Sequence, residues 1–224
     1  MGKGLFGRSL EELGKQDVEV EKMQLKEGET HKYQDSLEGF VPLFFRKMVT
    51  TLLRGLHTQN LFKNTIPIPK IQNLKVTLRT SGNEIDWSDF ILVSNVLLHW
   101  LADLPEPLVP KAHFESFREL DNSEISVKLK TLKIKTLLKQ IGLTQRFCLQ
   151  MLFKLLSLIS QMEHINQLRS TNLGVIFSSV ILYNDKPFWD GSLFQLVQIM
   201  IDNYEIIFFV TLPELFLKKM ESSK

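Results

Sequence analysis

The side chain with the clearest chemical potential is a lysine in a short, proline-flanked stretch. Lys63 lies in NLFKNTIPIPKIQ, residues 60–72, just after an aromatic residue and before two closely spaced prolines. Because proline fixes φ and lacks an amide hydrogen, this stretch is predicted to be a loop. An ammonium group on a loop can stabilise developing negative charge, or it can be a merely solvated charge. The residues alone leave both interpretations open.

Other reactive side chains form no recognisable catalytic or metal-binding pattern. The histidines are scattered and none has the spacing of a metal motif such as HExxH: His31, His57, His99, His113 and His164. The sequence contains no glycine-rich phosphate loop and no GxSxG motif. The single cysteine, Cys148, lies in the apolar stretch RFCLQMLFKLL and is predicted to be a buried hydrophobic residue. We therefore predict that the chain binds no cofactor and no metal, and that it has no catalytic nucleophile.

Composition indicates one globular domain over residues 1–224, with a core at about 5–210. The chain is 44% hydrophobic and 23% charged, and its net charge of +2 is too small to indicate nucleic-acid binding. Residues 1–35 are predicted to be partly extended or loop, with neither a signal peptide nor a membrane span. One cysteine and no such signal favour a cytoplasmic location.

Helical periodicity runs through almost the whole chain and predicts an all-α, multi-helix bundle. Pro42 suits a first helical position, Gly55 a helix end, and Thr144 a cap. The lysine-rich segment 126–140 nearly alternates, as a strand would, but it continues with helical spacing and has no partner strand. The predicted helices cover 42–54, a short segment through Ile71, Leu74 and Leu78, then 89–101, 114–120, 126–140, 144–162, a stretch from 170 or 171 to 182, 190–209 and about 213–220.

Four segments together resemble the Rho GTPase-activating-protein (RhoGAP) family. LADLPEPLVP, residues 101–110, is similar to the family's FLRELPEPLL signature, and LFGRSLEEL is similar to its FGVxLEEL opening. GFVPLFFRKMVTTLLRGLHTQNLFK resembles the first long helix and the turn into the catalytic loop, and STNLGVIFSSVIL resembles the late NLAxVFxPxLL helix. Their order and spacing follow the family over nearly the whole chain. The resemblance implies an all-helical domain that binds a Rho-family small GTPase.

The resemblance also implies a mechanism in which an arginine is inserted beside the terminal phosphate of GTP. In the family this arginine follows an aromatic residue in a G-I-F/Y-R-V-S-G loop. Lys63 occupies the arginine position here, between Phe62 and Asn64, and the loop glycines are replaced by Asn60 and Ile66. We therefore expect weak or absent catalysis and reduced backbone freedom in the loop.

Further family positions differ in the helix before LPEPL. The lysine and arginine that support the loop and contact the GTPase are replaced by Leu98 and Ala102, which can equally be core residues. Asn172 matches the family's GTPase-contacting asparagine, although it can also be a helix cap. Ser179 replaces the proline that usually follows. The GTPase-binding residues implied are Phe62, Asn64, Leu98, Ala102 and Asn172.

Three functional hypotheses follow from this comparison. The preferred one is a binding module that engages a small GTPase or another signalling protein with little catalysis. The second is an active GTPase activator that uses Lys63, Arg54 or Arg79. The third is a docking scaffold, with possible peripheral membrane contact through Lys128, Lys130, Lys133 and Lys135. LPEPLVP could also be a polyproline ligand, but a packed structural turn is preferred.

Overall fold

A computed structural model describes residues 5–15, 41–80, 85–182 and 193–209, with the backbone alone at 78–80. Every regular element in these ranges is a helix. The one isolated β-bridge described joins Val109 to Leu182 in parallel orientation. The predicted all-α fold is confirmed. The predicted helix at about 213–220 and most of the N-terminal segment 1–35 lie outside the described residues.

From α5 to α9 the helices follow one another with short connections. A short helix, α1, covers residues 10–15, where the sequence predicted loop or extended chain. A single 3₁₀ turn, Lys111–His113, precedes α5. The remaining helices are α2 (Leu43–Arg54), α3 (Ile68–Thr80), α4 (Phe90–Ala102), α5 (Phe114–Asn122), α6 (Val127–Leu138), α7 (Leu143–Gln161), α8 (Glu163–Asn166), α9 (Ser170–Ile181), α10 (Phe194–Asp202) and α11 (Tyr204–Phe208).

Several predicted helix ends are corrected. Pro42 is the residue before α2 rather than its first helical residue. Thr144 does not cap α7, which begins one residue earlier, after Gly142. Helix α3 begins at Ile68 because Pro69 falls in the first turn, where the amide hydrogens have no helical partner. The single helix predicted over 190–209 is two helices in its described part, separated at Asn203.

Helix α7 contributes a continuous buried stripe to the core, because its apolar residues recur at three- and four-residue steps. Its buried residues are Cys148, Leu149, Leu152, Phe153, Leu155, Leu156 and Ile159. The prediction that Cys148 is a buried hydrophobic residue is confirmed, and burial raises the pKa of its thiol well above the usual range. On α4, the buried Trp100 donates from Nε1 to the Leu5 carbonyl at 3.0 Å. This bond ties the N-terminal segment to the bundle.

The LPEPLVP turn packs into the core as a structural element. Pro107, Leu108 and Val109 are buried, while Pro105 and Glu106 are exposed. The Val109 amide donates to the carbonyl of Ile181 at 3.1 Å, which joins the turn to the end of α9. The packed-turn prediction is confirmed. A peptide-binding domain could not contact the ring of Pro107, because that ring is already buried. The polyproline-ligand alternative is therefore wrong.

The lysine-rich segment is helix α6, as predicted, and its lysines do not share one face. Lys128 and Lys135 are seven residues apart and lie on one side of the helix, whereas Lys130 and Lys133 lie toward the other. The Lys130 ammonium donates to the Asp121 carbonyl at 2.7 Å, and the Lys135 ammonium donates to the Ile206 carbonyl at 2.6 Å. Two of the four charges therefore bind backbone within the bundle.

Helices α9 and α10 pack more extensively than any other described helix pair, and a glycine permits their approach. A Cβ atom at Gly174 would lie 2.7 Å from the Phe194 carbonyl oxygen and 3.4 Å from the Gln198 amide nitrogen. Both neighbours are backbone atoms, so neither can rotate away. The close contact between the two helices therefore requires glycine at this position.

We expect Gly174→Ala to lower the free energy of unfolding by about 1–3 kcal/mol, because α9 and α10 must move apart. The control is Gly14→Ala in α1, where a Cβ atom would meet nothing within 4 Å. That substitution should leave stability unchanged or raise it by up to about 1 kcal/mol. Urea unfolding of both variants measures the difference. Equal effects would contradict the proposed backbone clash.

Candidate functional site

The candidate site is the loop that connects α2 to α3. Gly55 ends α2 as predicted, but with φ −101° it does not use the left-handed conformation. Glycine is required here because there is no room for a side chain: a Cβ atom would lie 2.6 Å from the ring of Phe90. The predicted loop position of Lys63 is confirmed by the turns that run from residue 55 to 64.

Two buried side chains anchor the loop in the bundle. Leu61 is fully buried, and Phe62 packs edge-on against Phe177 of α9, with ring centroids 4.9 Å apart and an interplanar angle of 81°. The Ser94 hydroxyl of α4 donates to the Leu61 carbonyl. Phe62 is thus a core residue that sets the position of its neighbour, and the structure does not present its ring to a partner.

Asn60 gives the loop its tight turn. It adopts φ +55°, a left-handed conformation that asparagine tolerates better than most residues. Its carbonyl accepts from the amides of Lys63 at 2.9 Å and Asn64 at 3.0 Å. Asn60 therefore adopts the left-handed conformation that a glycine at this position would also allow.

Asn95 of α4 fixes the far side of the same loop. Its Oδ1 accepts from the Ile66 amide at 3.1 Å, and its Nδ2 donates to the Asn64 carbonyl at 2.8 Å. The sequence analysis missed Asn95 and Ser94. The available signal was two polar residues at the centre of the apolar helix FILVSNVLLHWLA, where buried polar groups need partners.

Asn166 joins the start of the loop to the turn before α9. Its side chain is fully buried, and Nδ2 donates to the carbonyls of Leu56 at 3.0 Å and Ile159 at 2.8 Å. Its Oδ1 accepts from the Leu168 amide at 2.8 Å, and its carbonyl accepts from the Asn60 amide at 3.1 Å. This residue was also missed, and a lone Asn in a polar stretch gives no sequence signal.

Lys63 is exposed on the outer side of this anchored turn. Its ammonium donates to the carbonyl of Gln167 at 3.0 Å. Gln167 has φ +62°, the left-handed conformation that ends α8 and turns the chain toward α9. The lysine side chain therefore reaches the turn before α9 while it stays exposed to solvent.

Asn172 lies in the first turn of α9, beside the turn that Lys63 contacts. Its Oδ1 accepts from the amide of Arg169 at 3.2 Å, so the helix-cap interpretation is confirmed. The side chain is half-buried. The structure thus brings Lys63 and Asn172 to neighbouring positions at one end of α9.

Leu98 and Ala102 lie one turn apart on α4. Leu98 is half-buried against the core, whereas Ala102 is exposed, so only Leu98 is a core residue. Lys75 of α3 brings a positive charge to this end of α4, with its ammonium 2.6 Å from the Asp103 carboxylate. Desolvation, and next the charge of Lys75, lower the pKa of His99 below its usual value.

Of the alternative arginines, Arg54 lies apart from the loop contacts. Arg54 is exposed in the last turn of α2 and lines a groove whose other wall is α7. Arg79 lies near the end of α3, and its side chain is outside the described residues. Among the described side chains, only Lys63 combines a positive charge with the anchored loop.

Comparison with known proteins agrees with this geometry. The RhoGAP domain family matches residues 42–186. Rho GTPase-activating protein 15 of Gallus gallus is 26% identical over 179 residues, which cover 75% of this chain and 37% of the relative. Rho GTPase-activating protein gacY of Dictyostelium discoideum is 28% identical over 184 residues, which cover 76% of this chain and 25% of the relative. The chain thus spans about a third or less of these relatives.

Solved structures share the fold. The crystal structure of human Rho GTPase-activating protein 15 superposes with a TM-score of 0.73 at 20% identity, covering 92% of both chains. The BH domain of Graf, the GTPase regulator associated with focal adhesion kinase, gives a TM-score of 0.66 at 23% identity, covering 76% of this chain and 95% of that one.

The fold and the anchored loop define an all-helical domain of the kind found in Rho GTPase regulators. The family match extends from α2 through α9 and includes the loop, the LPEPLVP turn and the start of α9. The chain belongs to the RhoGAP domain family.

Proposed function

We propose that this domain binds a Rho-family small GTPase in its GTP-bound state and accelerates hydrolysis weakly or not at all. The observation that carries the proposal is a loop fixed by the buried Ser94–Leu61 bond and the part-buried Asn95 bonds, with Lys63 on its exposed side near Asn172. Such a surface is preorganised to meet a partner, because its backbone order is already established before binding.

The expected loss of catalysis follows from the chemistry of lysine. An ammonium group is a compact point charge and cannot bridge a phosphoryl oxygen and a glutamine carbonyl as a planar guanidinium does. An arginine finger contributes roughly 1,000- to 100,000-fold in rate, or about 4–7 kcal/mol of barrier. The absence of cations at Leu98 and Ala102 removes further support.

The proposed binding surface uses Asn64, Ala102 and Asn172 around Lys63. All are at least partly accessible, whereas Phe62 is buried and Leu98 is half-buried. Phe62 and Leu98 would therefore act by positioning the exposed residues. Lys75 adds a cation near Ala102 that the sequence analysis did not select.

The two other hypotheses have weaker support from the described residues. Activation through Arg54 would require an arginine that lines a different groove, on the α7 side of α2. A membrane scaffold would require the α6 lysines to act together, although Lys130 and Lys135 bind carbonyls within the bundle. No described helix is both long and apolar enough to cross a membrane. A cytoplasmic location, with peripheral membrane contact at most, remains a proposal.

The test pairs two measurements on a panel of Rho-type, Rac-type and neighbouring small GTPases. Affinity is compared between GTP-analogue-bound and GDP-bound forms, and single-turnover GTP hydrolysis is recorded on the same samples. We expect GTP-state-dependent binding without acceleration approaching that of an arginine-finger protein. Strong acceleration would support the activator hypothesis, and neither binding nor acceleration would support the scaffold.

A further inference from the structure

A groove between α2 and α7 lies apart from the loop that carries Lys63. Its volume is about 950 Å³. Its walls are α2 and α7, and further lining residues come from just before α2, from just before α4 and from α11 and its C-cap. Its described lining residues are Val41, Leu43, Arg46, Lys47, Thr50, Thr51, Arg54, Trp87, Phe147, Gln150, Met151, Lys154, Tyr204 and Phe209.

The charged residues of this groove all have one sign. Lys47 and Arg54 come from α2 and Lys154 comes from α7, and all three are exposed, whereas Arg46 also lines the groove but is half-buried. No aspartate or glutamate lines the groove among the described residues. Because charges on both walls repel one another, this arrangement favours a ligand that carries negative charge along both of its edges.

Most of the other lining residues are apolar, and some are solvent-exposed. Leu43 is 44% exposed and Phe209 is 53% exposed. The Lys47 ammonium lies 4.3 Å from the ring centroid of Trp87, so an aromatic face and a cation are presented together. The ligand therefore needs an apolar stripe between its acidic edges.

The shape of the groove selects between possible ligands. Helix α2 spans 12 residues, which makes its wall about 18 Å long, or three helical turns. A flat membrane surface cannot enter a concave groove between two helices. An amphipathic helix fits it, with apolar residues at i, i+3, i+4 and i+7 directed inward and acidic residues on both sides.

We propose that this groove, defined by the residues above and here called the α2–α7 groove, binds an acidic amphipathic helix of a partner protein. It contains no residue of the Lys63 loop, so the two surfaces can be occupied together. A helical partner bound here would leave the turn at the start of α9 accessible. The proposal stands independently of GTPase binding.

The probe is a designed, fluorescein-labelled helical peptide of about 16 residues, long enough to span the groove. It carries leucines at i, i+3, i+4 and i+7 with glutamates on both flanks. One control peptide has lysine in place of every glutamate, and a second keeps the composition but breaks the leucine stripe. Fluorescence anisotropy with the full chain should show binding of the first peptide, at about tenfold or greater affinity than either control, and weakened by salt.

Two exposed groove residues on opposite walls provide the variants. Lys154→Glu and Thr50→Glu should each weaken peptide binding by about tenfold, because each places a carboxylate against the acidic flank. Lys133→Glu, at an exposed position on α6 outside the groove, makes the same charge change as Lys154→Glu and should leave binding unchanged. All three should retain any GTPase binding, so failure here is distinguishable from failure of the proposed function.

Several results would overturn the proposal. These are no saturable binding of the acidic peptide, equal binding of the three peptides, or equal effects of Lys154→Glu and Lys133→Glu. Loss of phosphatidylserine-vesicle binding in Lys154→Glu, with no peptide binding, would assign the groove to a lipid. Conversion of a dimer to a monomer by the same substitution, seen in light scattering, would assign it to a second copy of the chain.

Discussion

Lys63→Arg is expected to accelerate single-turnover GTP hydrolysis by a bound Rho-family GTPase by about 10- to 1,000-fold relative to the unmodified domain. The loop backbone around position 63 is already fixed by Asn60, Asn95 and the buried Phe62. An arginine placed there therefore needs only its side chain to be ordered. The gain should fall below that of a full arginine finger because Leu98 and Ala102 supply no supporting charge.

The matched control is Lys63→Met, which keeps an unbranched side chain, one atom shorter, and removes its charge. It should remove any residual acceleration and the bond to the Gln167 carbonyl, which is exposed and contributes little to stability. Hydrolysis is recorded at saturating domain concentration so that binding and catalysis are separated. If Lys63→Arg binds the GTPase normally but hydrolysis is unchanged, Lys63 does not occupy the finger position and the loop alignment is wrong.

The sequence predicts the helices well because their apolar spacing is regular. Helix α6 is the instructive case, since its near-alternation of lysine and apolar residues also suits a strand. Its continuation through Leu137 and Leu138 decides for a helix, and the structure confirms this. The ends were less predictable. Thr144 is a good capping residue by type, but the chain already turns at Gly142.

The candidate site is only partly predictable because its order comes from long-range bonds. Lys63 and Asn172 were identified from the family's motifs. Ser94, Asn95 and Asn166 were not identified, because each binds backbone groups that are distant in the sequence. Asn95 binds Asn64, 31 positions away, and Asn166 binds Leu56, 110 positions away. A local pattern contains no information about such partners.

Asn60 shows a related limit of motif reasoning. Replacement of a family glycine indicates reduced backbone freedom, yet asparagine adopts the same left-handed region at modest cost. Residue type alone therefore does not show which backbone conformation the loop adopts. The change that bears on the proposed chemistry is at Lys63, where the side chain itself would act.

Asn166→Ala is expected to have the largest effect on stability, lowering the free energy of unfolding by about 3–4 kcal/mol. The substitution removes three side-chain bonds and leaves the Leu56 and Ile159 carbonyls and the Leu168 amide without this partner in a buried environment. Alanine cannot replace a donor or an acceptor, and the space left by the amide adds a small packing loss.

The same substitution at Asn172 provides the control for Asn166→Ala. Asn172 caps α9 through one exposed bond, so Asn172→Ala should cost only about 1 kcal/mol. Urea unfolding followed by circular dichroism measures both.

Equal losses would show that the buried bonds of Asn166 contribute no more than an ordinary cap. The expected result is a loss for Asn166→Ala about three times that for Asn172→Ala, together with weaker GTPase binding by those Asn166→Ala molecules that remain folded. This result would establish that Asn166 couples the Lys63 loop to α9. The loop and the start of α9 would then form one preorganised surface, because a single buried amide binds the backbone on both sides of it.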